Sequence, residues 1–368
     1  MFPALAVARE LREADDHVHV LWLGQADSLE QRTAAADGIG FSPVAVGKVR
    51  RERNPLRMLN RANATDMARV PVGVSQAVRR LRAFAPDVVL TTGGYVAVPV
   101  GVAAALLRIP LVTHEQTVGV GLANRVLSRA ATAVAVTSEA TIAVLSPRAA
   151  DRAVVTGNPI RESVLAGSGQ AALARFGRRF DRALPTVLVT GGAQGAHQIN
   201  AAIAEVLESL LGQANIIHQA GAADLPMLQD AATALPSELA GRYVVVDFID
   251  GVGMADALAL AAVVVCRSGA GTIAELTALG KPALLIPLAS SAGGEQARAA
   301  RLLEQAGAAI TVPGPVTGQT ISTAVAGLLA DPDARTRIGK AAREFGRPDA
   351  GARLAALVRA VAAGEPVN

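Results

Sequence analysis

The 368-residue chain has a single cysteine, Cys266. A disulfide within the chain, or a metal site built from cysteines, is therefore excluded. Cys266 sits in an apolar run and reads as a buried strand residue. The five histidines include one HxH pair, His17 and His19, but no HExxH motif, and a zinc centre is not expected. No GxSxG motif supports a serine nucleophile. Aromatics make up only 3% of the residues. No run of ~20 uninterrupted apolar residues stands out, so no membrane-spanning helix is expected. The start lacks the basic, apolar and cleavage segments of a signal peptide.

What is present is small and aliphatic. Hydrophobic residues reach 51% and charged ones 18%, a globular balance. A core of Ala, Val and Leu suits helices packed on parallel sheet, where central strands read as short apolar runs. Such runs alternate with helical patterns along the whole chain. The first series is His17–Leu23, Pro43–Val46, Asp87–Thr91, Pro110–Thr113, Thr132–Val136 and Ala153–Thr156. The second is Thr186–Thr190, Asn215–Gln219, Tyr243–Phe248, Val263–Arg267, Ala283–Pro287 and Ala308–Val312. This alternation predicts an α/β chain of two Rossmann-like, doubly wound domains, with ligands at the carboxyl ends of the strands. The strand-poor stretch Ala166–Leu184 marks the join near its beginning. The two halves open differently. The second begins strand, glycine turn, helix; the first begins on a helix, Pro3–Glu13, with no strand ahead of it.

Charge is uneven. Residues 48–82 hold Lys48, Arg50, Arg51, Arg53, Arg57, Arg61, Arg69, Arg79, Arg80 and Arg82 against Glu52 and Asp66, ten basic and two acidic, net +8. Such a stretch suits phosphate-bearing partners or an anionic membrane face, and equally a solubilising helix face. No nucleic-acid partner is expected.

The sharpest motif is Gly191-Gly192-Ala193-Gln194-Gly195-Ala196, between a strand and a helix. Glycines admit a close ligand, and a helix N-terminus offers free N–H groups, so this reads as a phosphate cradle or as a tight turn needing glycine for geometry alone. A second cradle is Ser268-Gly269-Ala270-Gly271-Thr272-Ile273-Ala274-Glu275. Its GxGxxA pattern lacks the acidic residue that nicotinamide cofactors want at the end of the next strand. Glu275 can accept from a ribose diol, or serve only as a favourable charge near a helix start. Gly93-Gly94-Tyr95 and His114-Glu115-Gln116 end strands of the first half, and His114 is a candidate phosphate donor or acid–base group. Gly157-Asn158-Pro159-Ile160-Arg161 closes that half. Arg161 there can neutralise a pyrophosphate or form an interdomain salt bridge.

Together these motifs resemble one family, the UDP-N-acetylglucosamine transferases that convert lipid I to lipid II in peptidoglycan synthesis, known as MurG. The likeness runs from end to end: GGYVAVPVGVAA at 93–104, HEQ at 114–116, GNPIR at 157–161, GGAQGAHQIN at 191–200, HQAG at 218–221, FID at 248–250, CRSGAGTIAEL at 266–276 and GEQ at 294–296. The resemblance implies a type-B glycosyltransferase fold. An acceptor domain, 1–165, completed by the C-terminal helix within 346–368, would face a donor domain, 166–345, across a cleft. It implies inverting transfer without a metal or other cofactor. It implies work at the cytoplasmic face of the cell membrane as a peripheral protein, alongside a cell-wall synthesis complex.

By position, the resemblance assigns the donor to Thr117, Arg161, Gly191, Gly192, Ala193, Gln194 and Gly195, with Ile249 beside uracil. It places Ala270, Gly271, Thr272 and Glu275 at ribose and phosphate, and Glu295 and Gln296 at the sugar. Tyr95, Asn124 and Asn200 would shape the cleft and the site for undecaprenyl-linked lipid I, with His114 and Glu115 as catalytic candidates. The family's opening strand and GGTGGH loop are not found, while Phe2-Pro3-Ala4-Leu5-Ala6 matches the helix after them. Met1 is therefore expected to be an internal methionine, and the first domain to want its first strand. Ala193 stands where the family often has Ser, Ala299 where it has Asn, and Thr117 where it has Asn. The alternatives are an inactive or scaffold-type UDP-sugar binder, another UDP-sugar glycolipid transferase, or an epimerase acting on the same UDP-sugar.

Overall fold

A computed structural model of the chain describes residues 2–47, 61–312 and 315–366, with backbone alone for 61–67 and 292. The chain divides into two compact units, Met1–Pro159 with Asp349–Asn368, and Ile160–Pro348. Residues 160–165, assigned to the first half from sequence, fall in the second.

In the second unit six strands form one parallel sheet. They are β7 (Thr186–Thr190), β8 (Asn215–Gln219), β9 (Tyr243–Val246), β10 (Val263–Cys266), β11 (Ala283–Leu285) and β12 (Ile310–Thr311), in the order β12-β11-β10-β7-β8-β9. Period-two alternation explains the layers. Val187, Val189, Ile216, Val263 and Val265 pack into one core with the helix His197–Leu211. Leu188, Ile217, Val264 and Cys266 face the other, against the helices Gly251–Leu260 and Ala270–Leu279. Each such side chain, fully buried, contributes roughly 1.5–3 kcal/mol. The region 166–184 is no bare join, because it carries a helix, Gly169–Arg175, packed on Gly251–Leu260.

The first unit holds β1 (Leu21–Gly24), β2 (Gly40–Pro43), β3 (Val89–Thr91), β4 (Leu111–Glu115), β5 (Ala133–Val136) and β6 (Ala153–Val155). All pairings are parallel, but among the described residues they make two sheets, β1-β2 and β3-β4-β5-β6. The two sheets share their covering helices. From the helix Phe2–Ala14, Leu5 and Ala8 meet Trp22 and Phe41, while Val7 and Leu11 meet Leu90, Val112 and Leu354. On the other face Val74, Ala77 and Leu81, from the helix Arg61–Phe84, join Leu23 and Val89 in one core. The C-terminal helix Ala350–Ala362 packs on Phe2–Ala14, β4 and β5 of this unit. One strand differs from expectation: β2 is Gly40–Pro43, not Pro43–Val46. Gly40–Pro43 pairs residue for residue with Leu21–Gly24, and the last bond of the ladder runs from Val44 N–H to the Gly24 carbonyl (2.9 Å).

Among the described residues no helix is long and apolar enough to cross a membrane. Of the basic stretch, residues 48–60 lie outside the described residues. Arg69, Arg79, Arg80 and Arg82 are exposed on the helix Arg61–Phe84.

Candidate functional site

In the second unit the functional candidates lie at the carboxyl ends of the strands. After β7 the backbone turns through Gly192 (φ 90°) and Gly195 (φ 76°) into the helix His197–Leu211, whose N-cap is Ala196 with no side-chain cap. A side chain at Gly195 would stand 1.9 Å from the Ala220 carbonyl oxygen. Only glycine therefore lets this loop lie directly on the 220–221 turn. After β10, Gly269 caps the helix Ala270–Leu279, again without a side-chain cap. Gly269 and Gly271 both face open space. Two helix N-termini without side-chain caps offer free N–H groups and the positive end of the helix dipole, a chemistry that can seat an anion.

Arg161 and Glu275, 114 residues apart, meet here: Nε and Nη2 donate to Glu275 Oε1 at 3.1 and 2.9 Å. This puts a guanidinium on the opening turns of the second of these helices. Ile249 is buried after β9, and its N–H donates to Gln219 Oε1 (2.9 Å). Gln296 turns inward. Its Oε1 accepts from Leu288 N–H (2.9 Å), and its carbonyl accepts from Ser268 Oγ (3.0 Å), tying the 268 loop to the helix Glu295–Gln305. Glu295 opens that helix, half-buried. Ala193 and Gln194 lie on the loop after β7, and Thr272 lies in the first turn of the helix Ala270–Leu279.

Asn200 does not line a cleft. It is fully buried and donates to the Ala220 carbonyl and to Asp224 Oδ2, both at 2.8 Å. Its Oδ1 accepts from His218 Nε2 at 3.0 Å. Burial lowers the His218 pKa to about 3, so the ring is neutral, and its Nδ1 takes the Tyr243 hydroxyl at 2.9 Å. The residue type suggested a ligand contact; partners from β8 and the following turn give it a structural role instead.

The first-unit candidates form a second constellation. Gly93 and Gly94 (φ 79° and 81°) make the turn after β3, leaving Tyr95 about half-exposed. His114 and Glu115 are on β4, 0% and 4% exposed. His114 Nε2 lies 2.9 Å from the Gly157 carbonyl, and burial lowers its pKa to about 4, so a neutral ring donates there. The Glu115 carboxylate accepts from Thr117 N (3.1 Å), Thr117 Oγ1 (2.9 Å), Gly121 N (2.8 Å) and Asn124 Nδ2 (2.9 Å). Asn124 is buried and also takes the Thr113 hydroxyl (2.8 Å). The expectation that His114 and Glu115 act on substrate, and that Asn124 and Thr117 contact it, meets a different geometry. Glu115 is the hub that closes the 117–121 loop, Asn124 and Thr117 are its spokes, and His114 fixes the Gly157 turn. These partners come from β4 with the segment after it and from the turn after β6, which residue type alone does not reveal.

Among the described residues no group of three or more His, Cys, Asp or Glu could hold a metal ion. Cys266 is buried on β10, and burial pushes its thiol up to about 12. One residue the sequence reading did not single out, Gln219, binds both Ile249 and the glycine loop. The HQAG match at 218–221 held the only hint of it.

Known proteins align with the whole chain. The glycosyltransferase family 28 N-terminal domain matches residues 1–136, and the family 28 C-terminal domain matches residues 186–354. A UDP-N-acetylglucosamine--N-acetylmuramyl-(pentapeptide) pyrophosphoryl-undecaprenol N-acetylglucosamine transferase of Salinibacter ruber is 36% identical, over 98% of this chain and 94% of its own. The Geobacter sulfurreducens protein of the same name is 34% identical, over 95% and 92%. The crystal structure of Acinetobacter baumannii MurG superposes with a TM-score of 0.74 at 26% identity, covering 97% of this chain and 95% of that one. A Neisseria meningitidis UDP-GlcNAc 2-epimerase bound to UDP-GlcNAc shares the fold, with a TM-score of 0.67 at 15% identity and 96% and 94% coverage. At full length and above 30% identity to its curated relatives, the chain belongs to the MurG family of glycosyltransferases.

Proposed function

We propose that the chain transfers N-acetylglucosamine from UDP-N-acetylglucosamine to undecaprenyl-pyrophosphoryl-MurNAc-pentapeptide, converting lipid I to lipid II with inversion at the anomeric carbon. The observation that carries the donor half is Arg161 held on Glu275 beside a glycine-led, uncapped helix N-terminus, with a second such helix start after β7. The acceptor hydroxyl attacks the anomeric carbon as the bond to the UDP oxygen breaks. The charge gathering on the leaving diphosphate meets Arg161 and the N–H groups of Ala193, Gln194 and Ala270–Thr272. Such preorganised donors stabilise a developing charge without a cation. Glu275 exchanges its guanidinium partner for the ribose diol, Ile249 borders the uracil, and Glu295 with Gln296 hold sugar hydroxyls.

The first unit takes the lipid-linked acceptor, with Tyr95 at its turn. There Glu115, Thr117, Asn124 and His114 position loops instead of exchanging protons with substrate. The basic residues of 48–82 suit an anionic bilayer, which points to peripheral attachment at the cytoplasmic face and to work beside other cell-wall enzymes.

The test is a transfer assay with radiolabelled UDP-N-acetylglucosamine and lipid I, with and without EDTA. Label moving into lipid II at the same rate in both is the expected result. Chain that binds UDP yet transfers nothing overturns the catalytic reading, and activity lost with EDTA overturns the metal-free one.

A further inference from the structure

We infer that Gln219 is a positioning residue that couples the phosphate-binding glycine loop to the base-binding turn, so that the two grip a nucleotide as one piece; this rests on the donor-site reading above. Gln219 ends β8, opposite Thr190 of β7 in the parallel register, and is 2% exposed. Its amide is fully used. Nε2 donates to the Gly192 carbonyl at 2.8 Å and to Thr190 Oγ1 at 3.2 Å, while Oε1 accepts from Ile249 N–H at 2.9 Å. The orientation of the amide is fixed by chemistry, because a carbonyl can only accept and an N–H can only donate. Thr190 Oγ1 also accepts from Gly192 N–H at 3.1 Å, so both ends of the Gly192 residue are pinned from the same cluster.

The consequence lies in the peptide planes. Gly192 has φ 90°, a Cβ there would meet nothing within 4 Å, and its carbonyl also accepts from Gly195 N–H at 3.0 Å. Its conformation depends on these hydrogen bonds, and that conformation aims the following N–H groups of the loop. The Ile249 amide hangs from the other end of the same side chain. A side chain that satisfies one end and offends the other should therefore separate phosphate binding from base binding. A mere core residue would not.

Gln219→Glu makes the separation. At pH 8 one carboxylate oxygen still accepts from Ile249 N–H, but the other faces the Gly192 carbonyl, two acceptors where one donor stood. Binding of uridine and of UDP to the full chain is measured by ligand-observed NMR and calorimetry, with melting temperature as a control. The expected result is uridine affinity within about twofold of wild type and UDP weakened at least about tenfold, the scale of one mispaired buried hydrogen bond. Gln219→Leu, which loses both ends, should weaken both ligands. Thr190→Val removes only the bridging hydroxyl, and should weaken UDP about threefold while leaving uridine unchanged. It carries the test if Gln219→Glu fails to fold. Equal weakening of both ligands in Gln219→Glu, or no change in the UDP-to-uridine ratio in Thr190→Val, overturns the coupling. Wild-type chain that binds neither ligand overturns the donor-site reading instead, and the coupling with it.

Discussion

The two units share a plan and differ in closure. In the second, six strands make one sheet, and every buried side-chain nitrogen or oxygen among the described residues has a partner. In the first, the sheet is in two pieces under common helices. The four buried side-chain atoms without a hydrogen-bond partner, Ser42 Oγ, Thr91 Oγ1, His114 Nδ1 and Asn158 Oδ1, all belong to it. An unbroken ladder and satisfied polar groups make the second unit a firm frame for the proposed donor site. Two sheets and unmatched polar atoms among the described residues lead us to expect the first unit to be the less stable of the two.

The largest expected effect is in the second unit. Gly195→Ala must place a methyl group against the Ala220 carbonyl at a positive φ. Strain from the dihedral alone is about 1–3 kcal/mol, and donor-dependent transfer should fall beyond detection in the lipid II assay. Next is Arg161→Ala, expected to lower kcat/KM for the donor about 100-fold, with Arg161→Lys recovering part of the loss because charge returns without the fork.

In the first unit, Glu115→Gln sets an amide NH2 against a donor, Gly121 N–H or Asn124 Nδ2. A cost of about 1–3 kcal/mol should appear as a lower melting temperature, with UDP affinity unchanged. A matching fall in UDP affinity would erase the distinction drawn between the units.

Acid sharpens the comparison further. His114 and His218 are held near pKa 4 and 3 by burial, below the ordinary 6.5 of the unfolded chain. The unfolded state then binds more protons, so stability is full above about pH 6.5 and declines as pH falls from 6.5 toward 4. Urea midpoints at pH 7 and pH 5 check this. The smallest effect is a negative one: with its thiol pushed up to about 12, Cys266 should resist iodoacetamide at pH 8 until the chain unfolds.

Much of this was legible in the sequence. The strands β7, β8 and β10 read directly as apolar runs, and the glycine turns after β7 and β10 lead into helices as the sequence indicated. Gly40–Pro43 was not legible, since Gly, Ser and Pro are weak strand formers and only pairing with Leu21–Gly24 makes them one. The hydrogen-bond partners of Asn200, Asn124 and Glu115 were not legible. They include Asp224 and Gly121, which lie on other turns and leave no mark at the residue's own position. Gln219 escaped notice because its importance lies in two backbone groups, which leave no trace in side-chain identity.

On the proposed reading of the donor site, the Arg161–Glu275 pair has one more consequence. An empty nucleotide site with a bare guanidinium would attract any passing anion, inorganic phosphate included. Here the cation already carries its own counter-ion, so a visitor must offer something to the carboxylate as well as to the guanidinium. A sugar diol joined to a phosphate does both, and a simple salt does only one. The unloaded protein thus screens its visitors by demanding two complementary chemistries in one molecule.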